Sequence, residues 1–220
     1  MNTKSWLKKH LSYDTNQIFD QLAWSYLCDC KEIIDVACGS GRFIAIDPHK
    51  IQGIDNNSRA VAFCKDRGYN VIKGDALDLP YEDESFEGVH CSHLIEHLYP
   101  EDAWKLIKEL TRILKPKGIL CLRAPLMSRH FYNDISHIRP YPPQALMEYL
   151  SGNWHHYNPL SFDEIKGSYK LLNNYYRHLP LFSGIVRQPF LRRVLEVFAK
   201  FGIRSLHRSG YLMIIEKNRS

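Results

Sequence analysis

Short apolar runs alternate along this chain with longer segments in which apolar residues recur at helical spacing. Ile33, Ile34 and Val36 make the first run, and Ile51-Gln-Gly-Ile-Asp55 makes the second and ends in an acid. Val71-Ile-Lys-Gly-Asp75, Phe86-Glu-Gly-Val-His-Cys91, Ile119-Leu-Cys-Leu-Arg123 and Tyr211-Leu-Met-Ile-Ile-Glu216 predict further strands, and the stretch from Ile165 to Leu172 is strand-like. Residues 1–30 read as helical, with Trp6, Leu7, Leu11, Ile18, Leu22 and Leu27 near helical spacing. A second helix is predicted from Ser58 to Arg67, capped by Asn57 or Ser58, with Val61, Phe63 and Cys64 on its apolar face and Gly68 as its stop. The strongest helix signal runs from Pro100 to Leu114, with Trp104, Ile107, Leu110 and Leu114 on one side and Lys115-Pro-Lys-Gly118 closing it. A short helix follows from Gln144, and Pro189 to Phe201 is amphipathic. Such alternation predicts a parallel sheet with helices on both faces and ligands beyond the carboxyl ends of its strands.

Two segments depart from the rhythm. The connection from Gly41 to Ile51 has room for only one or two helical turns. Residues 124–143 contain Arg129-His-Phe-Tyr-Asn-Asp-Ile-Ser-His-Ile-Arg-Pro-Tyr-Pro-Pro, a loop too long for a plain connection and too aromatic for disorder.

A length of 220 residues suits one domain, 1–220, with residues 1–30 as a helical cap and residues 124–160 as a substrate loop or cap insertion. The net charge of +5 is mildly basic, and the basic residues are scattered until the last third, which argues little for nucleic acid. The first residues lack the apolar run of a secretory signal, and no apolar stretch approaches a membrane span, so a soluble cytoplasmic protein is expected. Cys28, Cys30, Cys38, Cys64, Cys91 and Cys121 include no Cys-x-x-Cys pair and are expected as reduced thiols; no metal is expected.

The chemistry concentrates at Ile33-Ile-Asp-Val-Ala-Cys-Gly-Ser-Gly-Arg-Phe43, where a buried strand meets a glycine turn that lets backbone approach a ligand. A dinucleotide fingerprint would place a third glycine at position 44, which is Ile, and its acid about 20 residues on, whereas Asp55 comes earlier. Asp35-Val-Ala-Cys-Gly-Ser-Gly instead resembles the first motif of class I S-adenosylmethionine-dependent methyltransferases, and the resemblance continues over roughly residues 30–145. It implies a Rossmann-like α/β fold with a mostly parallel seven-stranded sheet, helices on both faces and an antiparallel last strand.

The same resemblance assigns S-adenosylmethionine as cofactor, with S-adenosylhomocysteine as product. Asp35 would accept from the amino acid end, beside the backbone of Ala37, Cys38, Gly39 and Gly41, unless it is a structural strand-end acid. Asp55, with Asn56 beside it, matches the acid that takes both ribose hydroxyls. Gly74-Asp75-Ala76 resembles the adenine motif, in which the Asp accepts from the amino group and the next N–H donates to the ring; a solvated turn Asp is the plain alternative. Cys91 would present backbone to the cofactor. The leading helix often lies over the cofactor in this class, which makes Tyr13 and Asp14 candidates, although a plain packing helix is the favoured reading.

Methyl transfer is an in-line displacement in which the protein aligns the acceptor and excludes water. An alcohol acceptor benefits from a base, and the loop resembles one in methyltransferases of bacterial surface-polysaccharide gene clusters. His137 is the candidate base with Asp134 orienting it, and His97, in Leu94-Ile-Glu-His-Leu98, is either a third catalytic group or a wall of the site. Arg139 would hold an anionic group, and Tyr132 or Tyr141 would stack on a sugar; alternatively these polar residues only tie the loop together. The expected activity is O-methylation of a small-molecule, glycan or glycolipid acceptor by a monomer or homodimer. Nucleic-acid methyltransferases of the amino-methylating type carry Asp/Asn-Pro-Pro-Tyr where this chain has Cys91-Ser-His-Leu94, and the Pro-Cys of the cytosine type is absent. A nucleic-acid or protein acceptor, or a non-catalytic cofactor-binding partner subunit, are the rival readings. The basic residues Arg187, Arg192, Arg193, Lys200, Arg204 and Arg208 allow either a solvated packing helix or peripheral contact with an anionic membrane surface.

Overall fold

A computed structural model describes residues 15–128, 130–151, 165, 167–178 and 208–219. It shows helices α1 (Thr15–Leu27), α2 (Ser58–Lys65), α3 (Pro100–Arg112) and α4 (Pro143–Leu150) and strands β1 (Ile33–Val36), β2 (Ile51–Asp55), β3 (Val71–Lys73), β4 (Phe86–Ser92), β5 (Leu114–Pro125), β6 (Tyr169–His178) and β7 (Arg208–Lys217). The strands form one seven-stranded sheet in the order β3-β2-β1-β4-β5-β7-β6. The first five run parallel, and β7 is antiparallel to both β5 and β6. The mostly parallel α/β sheet expected from the alternating pattern is therefore present.

β1 is buried along its whole length, as a central parallel strand covered on both faces must be. Successive side chains point to opposite faces, and two apolar clusters result. Ile34 and Val36 pack with Leu106, Leu110 and Ile113 on the α3 side, joined by Leu146 and Leu150 of α4. Ile33 packs on the other face with Phe19, Ala23 and Leu27 of α1 and Val61 and Cys64 of α2. Cys38, Cys64, Cys91 and Cys121 are buried free thiols used as small apolar residues.

Several boundaries differ from the sequence reading. β3 ends at Lys73, leaving Asp75 in the following turn, and α2 ends at Lys65. β5 starts at Leu114, so Lys115-Pro-Lys-Gly118 lies within the strand rather than closing a helix. Pro116 lacks the N–H a regular ladder needs, and the pairing with β4 accordingly jumps from Phe86↔Leu114 to Gly88↔Ile119, with Lys117 at φ +68°. β6 begins at Tyr169, later than Ile165, and runs on to His178. Its polar run Asn173-Asn174-Tyr175-Tyr176 hides an edge strand from hydrophobic patterning, because these side chains bond one another; Tyr26 Oη and Tyr175 Oη are 2.8 Å apart, and Asn174 donates to Tyr176. The helix expected over residues 1–30 is described from Thr15 to Leu27. Tyr13, Asp14, the helix expected over 189–201, and Arg187, Arg192, Arg193, Lys200 and Arg204 lie outside the described residues. Arg208 opens β7 with its guanidinium 3.9 Å from the Tyr176 ring. Among the described residues no helix is long and apolar enough to cross a membrane.

Leu110 of α3 is fully buried against the β-sheet. Leu110→Ala should cost about 2–5 kcal/mol of unfolding free energy, the usual range for a buried Leu truncation. Urea unfolding measures it, and a loss under about 1 kcal/mol would mean that this helix does not carry its share of the core.

Candidate active site

Beyond the carboxyl ends of β1 and β2 the backbone turns through three left-handed residues, Ala37 (φ +58°), Gly39 (φ +54°) and Gly41 (φ +72°). The two glycines do different work. A Cβ on Gly39 would meet nothing within 4 Å, so that face of the turn is open. A Cβ on Gly41 would sit 2.8 Å from the Tyr69 ring and 3.0 Å from Cys64 Sγ, so Gly41 serves packing against α2 rather than ligand approach. The turn is held by Asp55, whose Oδ2 accepts from Gly39 N at 2.8 Å and whose Oδ1 accepts from Asn57 N at 2.8 Å. Asn57 in turn caps α2 by accepting from Arg59 N. Asp55 is therefore the joint between the glycine turn and the helix that follows, and its carboxylate keeps further lone pairs for a ligand.

Asp35 is placed differently from its expected part. It is 3% exposed, and its Oδ1 lies 2.6 Å from His90 Nδ1 on the neighbouring strand, in direct register. Phe43 stacks on the His90 ring at 3.9 Å. The pair fixes the strand end under the turn, so one oxygen is already committed to His90 before any ligand ammonium is considered. His90 was not among the expected site residues; the alternation of β4 alone marks it as a core position, and only its register with Asp35 shows the partnership. Nearby, Arg42 pairs with Asp20 of α1 at 2.9 Å, and the buried Arg123 at the end of β5 reaches Asp20 at 3.5 Å and Asn16 at 2.5 Å. Burial raises the Asp20 carboxyl, against the opposing pull of Arg42, His90 and Arg123. These ties hold α1 across the ligand end of the sheet.

The loop after β5 builds a polar wall over the end of β4. Phe131 is buried and anchors a short turn, and Ile138 N donates to Glu96 O at 2.8 Å. His137 Nδ1 lies 2.7 Å from Phe131 O and His97 Nδ1 lies 3.1 Å from Ser136 O, with the two rings 5.0 Å apart. The Phe131 carbonyl, not Asp134, thus orients His137. Asp134 Oδ1 is taken by Ser136 N and Oγ, and its Oδ2 is 3.9 Å from His137 Nε2, beyond hydrogen-bond reach. Those Ser136 hydrogen bonds hold the Asp134 carboxyl below its usual value. Glu96, passed over as a candidate, is fully buried at the centre of this wall, with Oε1 2.9 Å from His93 Nδ1. His93 is itself in the left-handed region at φ +58°, and burial lowers its pKa against the pull of Glu96. Tyr132 and Arg139 are exposed toward solvent, while Tyr141 is committed to structure: its hydroxyl donates to Leu98 O, its carbonyl accepts from Tyr211 Oη, and its ring lies 5.3 Å from the Arg139 guanidinium. Tyr141, Arg139, Trp104, Leu146 and Tyr149 line an apolar cleft between α3 and α4, apart from the glycine turn.

Residues 34–122 match the family model described as a methyltransferase domain. Residues 34–122 are a methyltransferase domain. The chain is similar to a tRNA (carboxymethyluridine(34)-5-O)-methyltransferase of Arabidopsis thaliana, 32% identical over 41% of this chain and 23% of that protein. It is likewise 32% identical to a fatty-acid O-methyltransferase of Mycolicibacterium smegmatis, over 46% of this chain and 40% of that one. The chain therefore spans well under half the length of these relatives. A solved SAM-dependent methyltransferase of Archaeoglobus fulgidus superposes with a TM-score of 0.62 at 22% identity, covering 98% of this chain and all of that one, which shows the shared fold.

S-adenosylmethionine is the cofactor of such a domain, and the strand ends fit it. The open face of Gly39 leaves room for the amino acid end to pass close to the backbone, and Asp55 sits where the ribose diol would be held. Asp75 is exposed in the turn after β3, where its Oδ1 accepts from Leu77 N at 2.9 Å, and Ala76 beside it is half-buried. Asn56 is exposed beside Asp55, while the Cys38 and Cys91 thiols are buried, which pushes both pKa values up; those two residues have backbone alone to offer a ligand. Asp55→Ala removes the joint of the turn together with the ribose acceptor. It should weaken S-adenosylhomocysteine binding by about 1.5–3 kcal/mol, on the order of tenfold to 150-fold, and calorimetry showing unchanged affinity would take Asp55 out of the site. Gly41→Ala should lower the urea midpoint more than Gly39→Ala, because only the former adds a clash to the strained φ. The opposite ranking would contradict the division of labour between them.

Proposed function

We propose that the protein transfers the methyl group of S-adenosylmethionine to a hydroxyl oxygen of a small-molecule, glycan or glycolipid acceptor. The observation that carries this reading is the wall of Glu96, His97 and His137, which stands beyond the carboxyl end of β4 on the same edge of the sheet as Gly39 and Asp55. A wall of ionisable groups is superfluous for a carboxylate acceptor but useful for an alcohol, which attacks poorly until its proton is drawn away. Two relatives whose names specify O-methylation, one of them of a fatty acid, support oxygen as the methylated atom, while the choice of a hydroxyl over a carboxylate rests on the wall alone.

When bound, the cofactor supplies an electrophilic methyl group on a sulfonium. The chain's own residues then divide the work. The glycine turn and Asp55 fix one side of the reacting pair, the Asp35–His90 pair stiffens the floor, and α1, tied down through Asp20, Arg42 and Arg123, excludes water from that end. His97 and His137, both part-exposed, meet the acceptor hydroxyl with the buried Glu96 beside them, and Tyr132 and Arg139 are exposed at the entrance for a sugar face or an anionic group.

His137→Ala should lower turnover by about a hundredfold or more and leave S-adenosylhomocysteine affinity unchanged, since activation of an acceptor is typically worth 10²–10⁴. Assays would follow S-adenosylhomocysteine release with glycan, lipid and tRNA acceptors side by side. Methylation of tRNA alone would replace the glycan or small-molecule acceptor with a nucleic acid, and retained turnover in the variant with a raised KM would reduce the wall to a binding surface.

A further inference from the structure

The wall of the acceptor side has the construction of a metal site. Glu96, His97 and His137 bring one possible ligand atom each to within 4.8 Å of one another. In each of the three, the side chain's other polar atom already has a partner. A backbone carbonyl only accepts, so His137 Nδ1 must donate to Phe131 O and His97 Nδ1 to Ser136 O. Each imidazole is thereby fixed as the tautomer whose Nε2 carries a lone pair. This is the arrangement by which metal-binding histidines are held from behind. Glu96 Oε1 is engaged by His93, and Glu96 Oε2, on a fully buried residue, has no hydrogen-bond partner among the described residues. A buried carboxylate oxygen left unpaired is costly. A divalent cation shared with the two Nε2 lone pairs would give it a partner.

We propose that Glu96, His97 and His137 bind one divalent transition-metal ion, through Glu96 Oε2 and the two Nε2 atoms. Two imidazoles and one carboxylate are the donor set of zinc and of the divalent ions that keep open positions for a further oxygen ligand. Bonds of about 2.0–2.2 Å place neighbouring ligand atoms roughly 3–3.5 Å apart, so binding draws the three side chains inward. The expectation of a metal-free protein came from cysteine spacing, and this donor set contains no cysteine and spans residues 96–137. For the methyl transfer proposed above, on which only this last step rests, an acceptor hydroxyl bound at an open position would give up its proton to solvent past the exposed Asp134 more readily, as metal-bound water does.

Tag-free protein stripped with chelator and titrated with Co²⁺ tests the site. One ion per chain should bind, with visible absorption bands that Zn²⁺ abolishes on displacing it. Glu96→Gln, which keeps the side chain's shape, His97→Ala and His137→Ala should each weaken binding by at least about tenfold. His49→Ala, an exposed imidazole at the amino end of β2, should leave it unchanged. No saturable Co²⁺ binding by the unaltered chain, or binding undiminished in all three variants, overturns the proposal. The acceptor reading fails separately: stoichiometric Co²⁺ binding by a protein that methylates no hydroxyl compound keeps the metal site and removes the acceptor. Methyl transfer that persists undiminished in the stripped protein removes the metal's part in the reaction.

Discussion

The backbone after a central parallel strand has to turn sharply, and its N–H groups then lose the ladder that satisfied them. In this protein the Asp55 carboxylate resolves that constraint, accepting from the turn after β1 with one oxygen and from the start of α2 with the other. Everything at the ligand end depends on it. Gly39 is presented as open backbone because its N–H is pulled inward to Asp55, and α2 can begin at Ser58 because Asn57 is positioned to cap it. A group described only as a ribose acceptor would be read as an appendage of the fold; its two hydrogen bonds make it part of the fold's frame.

Much of the frame was legible in the sequence because two periodicities carry it. The strands around Ile33, Ile51 and Phe86 are mostly buried on both faces, and α3 shows its stripe plainly, so the order and type of these elements follow from the pattern of burial. The edge of the sheet was harder to see. β6 buries little and holds its place through tyrosine and asparagine side chains, which no hydrophobic pattern records. Pro116 and Gly118 read as a stop although the chain continues as strand, since a local break in hydrogen bonding is absorbed as an irregularity in the pairing.

The site was legible to the extent that its chemistry is local. Gly39, Asp55 and Asp75 lie in contiguous motifs at strand ends. The partnerships that organise the site join residues far apart in the chain: Asp35 with His90, Asp20 with Arg123, His97 with the Ser136 carbonyl, Ile138 with the Glu96 carbonyl. Asp134 and His137 look like an orienting pair at three-residue spacing, yet the nearest acceptor for His137 Nδ1 is a main-chain carbonyl, which sequence does not advertise. Glu96 shows the same limit, because its full burial is a property of the assembled wall.

β7 lies between β5 and β6 in the sheet although it follows both in the chain. During synthesis the completed edge of β5 therefore has no neighbour while residues 126–207 are being made, and β6 has no strand to pair with until β7 emerges. The pairings of β7 with β5 and β6 are between residues far apart in sequence, which makes them late and slow to form. An unpaired, largely apolar β5 edge is an invitation to intermolecular strand pairing during that interval. Nascent chains stalled before residue 208 would thus be the aggregation-prone species, and the closing strand acts as the molecule's own seal on its sheet.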